Sequence, residues 1–173
     1  DTRSAVAELA ATNNQIVLEY TFDKPAVARQ GQYDQLVIPG TEPYIRTGMP
    51  IVPVRPVHAL VPFGKAVAAV AVDVLEKTEL DGAYRLAPGQ KPYPLSRANT
   101  VAATAPDPAV YGSDAPWPGR VYEPVTDQSK RGYELTVLDL FPVQYAPLSG
   151  KVTCATRIRV TLTLGDTNVA PLV

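Results

Sequence analysis

The chain has 173 residues, 16 basic and 17 acidic, for a formal charge of −1, which is enough for one domain with a real core and short for two. Its charges are scattered without a basic run or acidic tail, so nothing argues for nucleic acid or an anionic membrane as partner, and no apolar stretch approaches the length that spans a bilayer. Hydrophobic residues make up 46% and charged residues 19% of the composition, a globular rather than a disordered balance; 18 prolines and 11 glycines favour an all-β domain of many forced turns over long helices.

The sequence opens on Asp1 rather than Met and reads as a mature product after leader removal or as a cut segment. Residues 1–14 are taken as a leader, alanine-rich from Ser4 to Ala11 and compatible with a short helical turn or a loose segment. In "QIVLEYTF", Gln15 to Phe22, Ile16, Leu18, Tyr20 and Phe22 alternate with polar or smaller positions, the period of a strand with one buried face. "YDQLVIPG", Tyr33 to Gly40, predicts a second short strand, closed by Pro39 and Gly40. The next stretch carries Pro50, Pro53, Pro56 and Pro62; proline cannot donate to a ladder, so edges, bends or extended crossings are expected there.

"AVAAVAVDVLE", Ala66 to Glu76, sets alanine against four β-branched valines and is read as a strand after the turn-like Phe63-Gly64-Lys65. From about 87 to 120 the pattern vanishes into a Pro-rich, aperiodic segment, and so long a loop in a compact domain is a functional or a disordered one. Strands return in "RVYEPV", in "GYELTVLDLF" from Gly132 to Phe141, and in "RIRVTLTL" from Arg157 to Leu164, whose Ile158, Val160, Leu162 and Leu164 face one way. No solenoid repeat and no helix able to build a βαβ unit is present. The expected fold is a single antiparallel β-sandwich over 15–165 with the long loop at about 87–120, and with 166–173 as a C-terminal linker.

The chemistry of catalysis is thin. One histidine, His58, lies in "PVHALVP", on the face opposite Val57, Ala59 and Val61, and reads as a solvent-facing strand residue. One cysteine, Cys154, cannot form an internal disulfide and reads as a small buried hydrophobe; a Cys154–His58 dyad has no local motif behind it. Two Cys or His ligands are too few for a zinc site, and Asp107 and Asp114 lack the spacing of a calcium loop and read as solvated turn carboxylates. No phosphate-cradling or nucleophile-elbow motif appears, so neither a metal nor a cofactor is expected. Tyr93, Tyr111, Trp117 and Tyr122 suit either a carbohydrate groove or packing of the long loop onto the sheet.

The order of the punctuation, "GMPIVP" (48–53), "ALVPFGKAV" (59–67), "LAPGQKPYP" (86–94), "PWPG" (116–119) and "RGYELTVLDLFPVQYAPLSGKV" (131–152) with "RIRVTL" behind it, resembles the propeptide domain of gingipain-type cysteine peptidases, the C25 family. The resemblance runs from about Leu36 to Leu164 and is strongest over Pro142 to Lys151. In that run Pro142 is expected to stop a ladder, Tyr145 to cover the corner, and Pro147 and Gly150 to shape a hairpin turn into the final strand.

The resemblance implies the amino-terminal prodomain of a secreted or cell-surface bacterial zymogen, a folding aid and latency inhibitor rather than an enzyme. Its partner would be the cysteine peptidase catalytic domain downstream in the same precursor. It also implies a basic side chain offered to a specificity pocket, for which Arg97 is the first candidate, with Lys91 and Arg120 behind it. A non-catalytic binding or adhesion module of a secreted or surface protein, and a small hydrolase using Cys154 and His58, are the competing classes.

Overall fold

In a computed structural model the chain is an all-β domain, described over residues 6–12, 14–92, 102–130 and 133–166. Five strands form the larger sheet: β1 (Val6–Thr12), β2 (Gln15–Thr21), β7 (Lys65–Leu80), β10 (Val143–Ala146) and β11 (Lys151–Asp166). β11 is its spine. β7 runs antiparallel along one side of β11, while β2 and β10 share the other side end to end.

A four-stranded sheet packs against it in the order β5 (Glu42–Tyr44), β6 (Val52–Val61), β9 (Tyr133–Leu140), β8 (Tyr122–Lys130), and β3 (Ala26–Gln30) pairs β4 (Tyr33–Val37) as a ribbon. The four-residue α1 (Pro108–Tyr111) is the only helix among the described residues.

The alternation of β2 and β11 decides the core. Ile16, Leu18, Tyr20 and Phe22 are buried, and so are Ile158, Val160, Leu162 and Leu164. They meet Val57, Ala59 and Val61 of β6 and Leu138 and Leu140 of β9 in one cluster. Each such aliphatic side chain stabilises the fold by about 1.5–3 kcal/mol relative to leaving it in water.

Three expectations change. Residues 6–12 form a strand, not a helical turn or loose leader, because pairing with β2 satisfies their backbone and tertiary context overrides the helix preference of alanine. β3 was not expected, and its five residues are all exposed, so no alternation marks it. Within the proline-bearing stretch Val52–Val61 form one continuous ten-residue strand, β6, which holds Pro53 and Pro56, while Pro50 and Pro62 lie outside it. Prolines fit there because β5 pairs only Val52, Pro53 and Val54, while β9 pairs Arg55 to Val61, so neither Pro53 nor Pro56 has to serve two ladders at once.

The hairpin run folds as expected in outline. β9 ends at Leu140, and the Pro142 carbonyl accepts from the Ala155 amide at 2.7 Å. Pro147 to Gly150 turn the chain from β10 into β11. Gly150 has φ +71°, and a Cβ there would stand 2.7 Å from the Tyr84 carbonyl oxygen, so both the turn and the close approach require glycine.

Candidate functional site

The long Pro-rich segment is anchored at both ends. At its root the Gly89 amide donates to the Met49 carbonyl, the Gly89 carbonyl accepts from Gly48, and the Ala87 carbonyl accepts from Ile51. Gln90 then accepts from the Thr104 amide at 2.8 Å through its side-chain oxygen, while the Thr104 hydroxyl accepts from the Lys91 amide at 3.0 Å. These two bonds staple positions 90 and 91 to position 104 and close the mouth of the segment between them.

Beyond the staple, the returning limb is fixed residue by residue. Asp107 caps α1, accepting from the amides of Ala109 and Val110, and its own amide donates to the Gly48 carbonyl. Asp114 accepts from the Ser149 amide at 2.8 Å. Both carboxylates therefore hold backbone and are not simply solvated turn residues.

Trp117 exchanges two backbone hydrogen bonds with Tyr145, and its indole donates to the Pro50 carbonyl. Tyr111 donates to the Leu86 carbonyl at 2.9 Å, and Tyr122 packs against the core. Trp117 and Tyr111 thus tie the returning limb to Pro50 and Leu86, while Tyr122 belongs to β8. Tyr93 lies outside the described residues.

The Gln-Tyr pair of the hairpin run is the part that sequence reasoning underused. Gln144 binds two peptide groups of one short stretch, its amide nitrogen donating to the Arg120 carbonyl at 2.8 Å and its oxygen accepting from the Gly119 amide at 3.0 Å. Tyr145 is buried, and its hydroxyl donates to the Tyr84 carbonyl at 2.8 Å and accepts from the Leu86 amide at 3.4 Å. One strand thus grips the chain on both limbs of the long segment. A side-chain amide and a hydroxyl in a β10 of only four residues were the available signals.

The three basic candidates fall into different settings. Arg97 lies outside the described residues. Lys91 is exposed at the staple, where its backbone amide is tied to Thr104. Arg120 is engaged: its guanidinium pairs with Glu123 at 3.0 Å, donates to the Tyr44 hydroxyl at 3.4 Å, and lies over the Phe141 ring. Glu123 also takes Arg46 at 3.3 Å, so Arg120 belongs to a four-residue cluster that it would have to leave in order to enter a pocket.

The competing catalytic pair is not assembled. His58 is exposed on β6, whereas Cys154 is fully buried in the core and burial pushes its thiol up to about 11. A thiol in that state is almost entirely protonated at neutral pH and makes no nucleophile. Among the described residues no group of histidine, cysteine and carboxylate side chains could hold a metal, and no helix is long and apolar enough to cross a membrane.

Comparison with known proteins gives a consistent result. No curated protein matches the sequence. Among solved structures, the chain is similar to one described as structural insight into zymogenic latency of gingipain K from Porphyromonas gingivalis, with TM-score 0.75 and 18% identity, covering 95% of this chain and 100% of that one. It is also similar to a chain from the complex of Porphyromonas gingivalis RgpB pro- and mature domains, with TM-score 0.71 and 16% identity, covering 96% of this chain and 86% of that one. At these identities the structures establish a shared fold, an all-β domain with antiparallel sheets. The family model Propeptide_C25 matches residues 4–171, nearly the whole sequence, and the chain belongs to that family, the propeptide domains of C25 cysteine peptidases.

Proposed function

We propose that this chain is the amino-terminal propeptide of a secreted gingipain-like cysteine peptidase, where it assists folding of the catalytic domain downstream in the same precursor and holds it latent. Family membership across residues 4–171 carries this reading. The mechanism rests on the stapled segment. Ordering a loop costs about 1–2 kcal/mol of backbone entropy per residue, and a root held by Gln90, Lys91 and Thr104 removes part of that cost before any partner arrives.

A basic side chain on that segment would enter the peptidase's specificity pocket and pair with an acidic group there, the charge-assisted bond such pockets reward. Arg97, six positions beyond Lys91 and seven before Thr104, is the first candidate. Lys91 is the second, and Arg120, committed to Glu123, is the third.

The test is titration of this chain into the catalytic domain of its own precursor, following peptide cleavage, with Arg97→Ala, Lys91→Ala and Arg120→Ala alongside. Tight inhibition lost on Arg97→Ala alone establishes both latency and the pocket residue. Inhibition that survives all three substitutions moves the contact elsewhere, and no inhibition by the unaltered chain refutes latency.

A further inference from the structure

The two sheets do not close on each other along one side. β7 is an edge strand of the larger sheet and β8 an edge strand of the smaller one, and the cleft between them, about 520 Å³, is lined by Val67, Val70, Tyr122, Pro124, Val125 and Leu138 among others. Further along, Val74 faces Arg120, Val121 and Phe141 across a second apolar cleft of about 440 Å³. Val67, Val70 and Val72 pack against the core yet stay partly exposed. Val125 is 52% exposed, Val74 39%, and Phe63, at the turn that leads into β7, 68%. The core is one strand short on this side.

The edge of β7 is open in its backbone as well. The Leu164 amide donates to the Asn14 carbonyl and the Thr156 carbonyl accepts from the Phe22 amide, so the even-numbered residues of β11 between them turn their peptide groups toward β2. Their partners across the other ladder, Val74, Val72 and Val70, accordingly direct N–H and C=O away from β11, toward the free edge. The Tyr122 hydroxyl reaches the Val70 carbonyl at 3.5 Å. Ala66 to Val72 carries no charged residue of its own, the usual protection of an exposed edge.

We propose that this seam, from Val67 to Val74, is the docking surface for the peptidase domain of the precursor, which lays an extended apolar segment along the free edge of β7. The inference rests on the propeptide reading above, and two features select that occupant. Asp166 of β11 stands opposite Lys65 and is joined to it by an ion pair of 2.6 Å, so on the propeptide reading the chain passes the head of the seam on its way to the peptidase domain, which raises that domain's effective concentration there. At its other end the seam reaches Arg120, which Glu123 links to Arg46, one residue from the Thr47–Gly89 bridge at the root of the long loop. A single body covering the seam connects the tether to the loop, pairing backbone along β7 and burying the valines that the sandwich leaves exposed.

The experiment uses this chain and the catalytic domain of its precursor with the catalytic cysteine blocked. Hydrogen exchange of residues 66–74 is measured free and in complex, and dissociation constants are measured for Val125→Asp, Phe63→Asp and a control, Val27→Asp on the exposed β3. Slowed exchange over 66–74, with Val125→Asp and Phe63→Asp weakening the complex at least tenfold and Val27→Asp leaving it unchanged, is the expected result. A complex that forms while 66–74 exchange as in the free chain and Val125→Asp binds like wild type overturns the docking surface and leaves the propeptide reading standing. If the unaltered chain forms no complex, both fall.

Discussion

Gly89 lies directly against Arg46: a Cβ built on it would stand 2.2 Å from the Arg46 carbonyl oxygen and 2.8 Å from its carbonyl carbon. Backbone cannot yield as a flexible side chain would, so Gly89→Ala must push the root of the long loop off the Arg46 to Met49 segment that precedes β6. Overpacking of this kind costs about 1–3 kcal/mol. The expected outcome is a lower melting temperature together with inhibition weakened by more than the stability loss accounts for. An alanine variant that melts and inhibits like wild type contradicts the anchoring role of this contact.

Tyr145→Phe keeps the buried ring and removes the hydroxyl shared between the Tyr84 carbonyl and the Leu86 amide. The buried Leu86 amide and the part-buried Tyr84 carbonyl then lose a partner, a loss of about 1–3 kcal/mol. Urea unfolding should show a lower midpoint with an unchanged slope. A slope change would instead mean that the loop had detached from the sheets.

Cys154 should not react with iodoacetamide at pH 7 in the native chain and should label fully in denaturant, because burial has raised its thiol to about 11 and closed off access. Rapid labelling of the folded protein would return the Cys154–His58 hydrolase to consideration.

Glu19 sits on β2 between Arg157 and Arg159 of β11, with Glu76 of β7 on the far side of Arg157. The hydrogen bond from Arg157 holds its carboxyl below the ordinary value of 4.5, helped by Arg159 and opposed by desolvation. A folded-state value depressed below the unfolded one stabilises the protein above the unfolded value and is lost as pH falls through the folded one. Asp139 works in the opposite direction: burial, with Glu123 and Glu42 nearby, raises its carboxyl, so its ionised form opposes folding at neutral pH. Glu19→Gln should lower the melting temperature at pH 7 and flatten its fall below about pH 4.5, while Asp139→Asn should raise it at pH 7. Melting curves from pH 3 to 8 check both signs.

Much of this protein is legible residue by residue. The alternation of Ile16, Leu18, Tyr20 and Phe22, and of Ile158 to Leu164, predicts two strands with one buried face each, and those faces form the core. His58 faces solvent where alternation with Val57 and Ala59 puts it. The run from Pro142 to Gly150 predicts a hairpin, and a hairpin is there. What alternation cannot show is a strand exposed on all sides, such as β3, or one whose alanines favour helix, such as β1.

By itself the sequence determined the all-β class, the buried faces, the turns and the family, because strand period and turn chemistry are local properties carried by neighbouring side chains. Only the tertiary structure decided that β7 pairs β11 and keeps a free edge, that Gln144 and Tyr145 grip both limbs of the loop, and that Gln90 and Lys91 meet Thr104. Those contacts are backbone and single-atom hydrogen bonds between distant positions. Every residue carries the same amide and carbonyl, so their partners leave no mark in the order of the side chains.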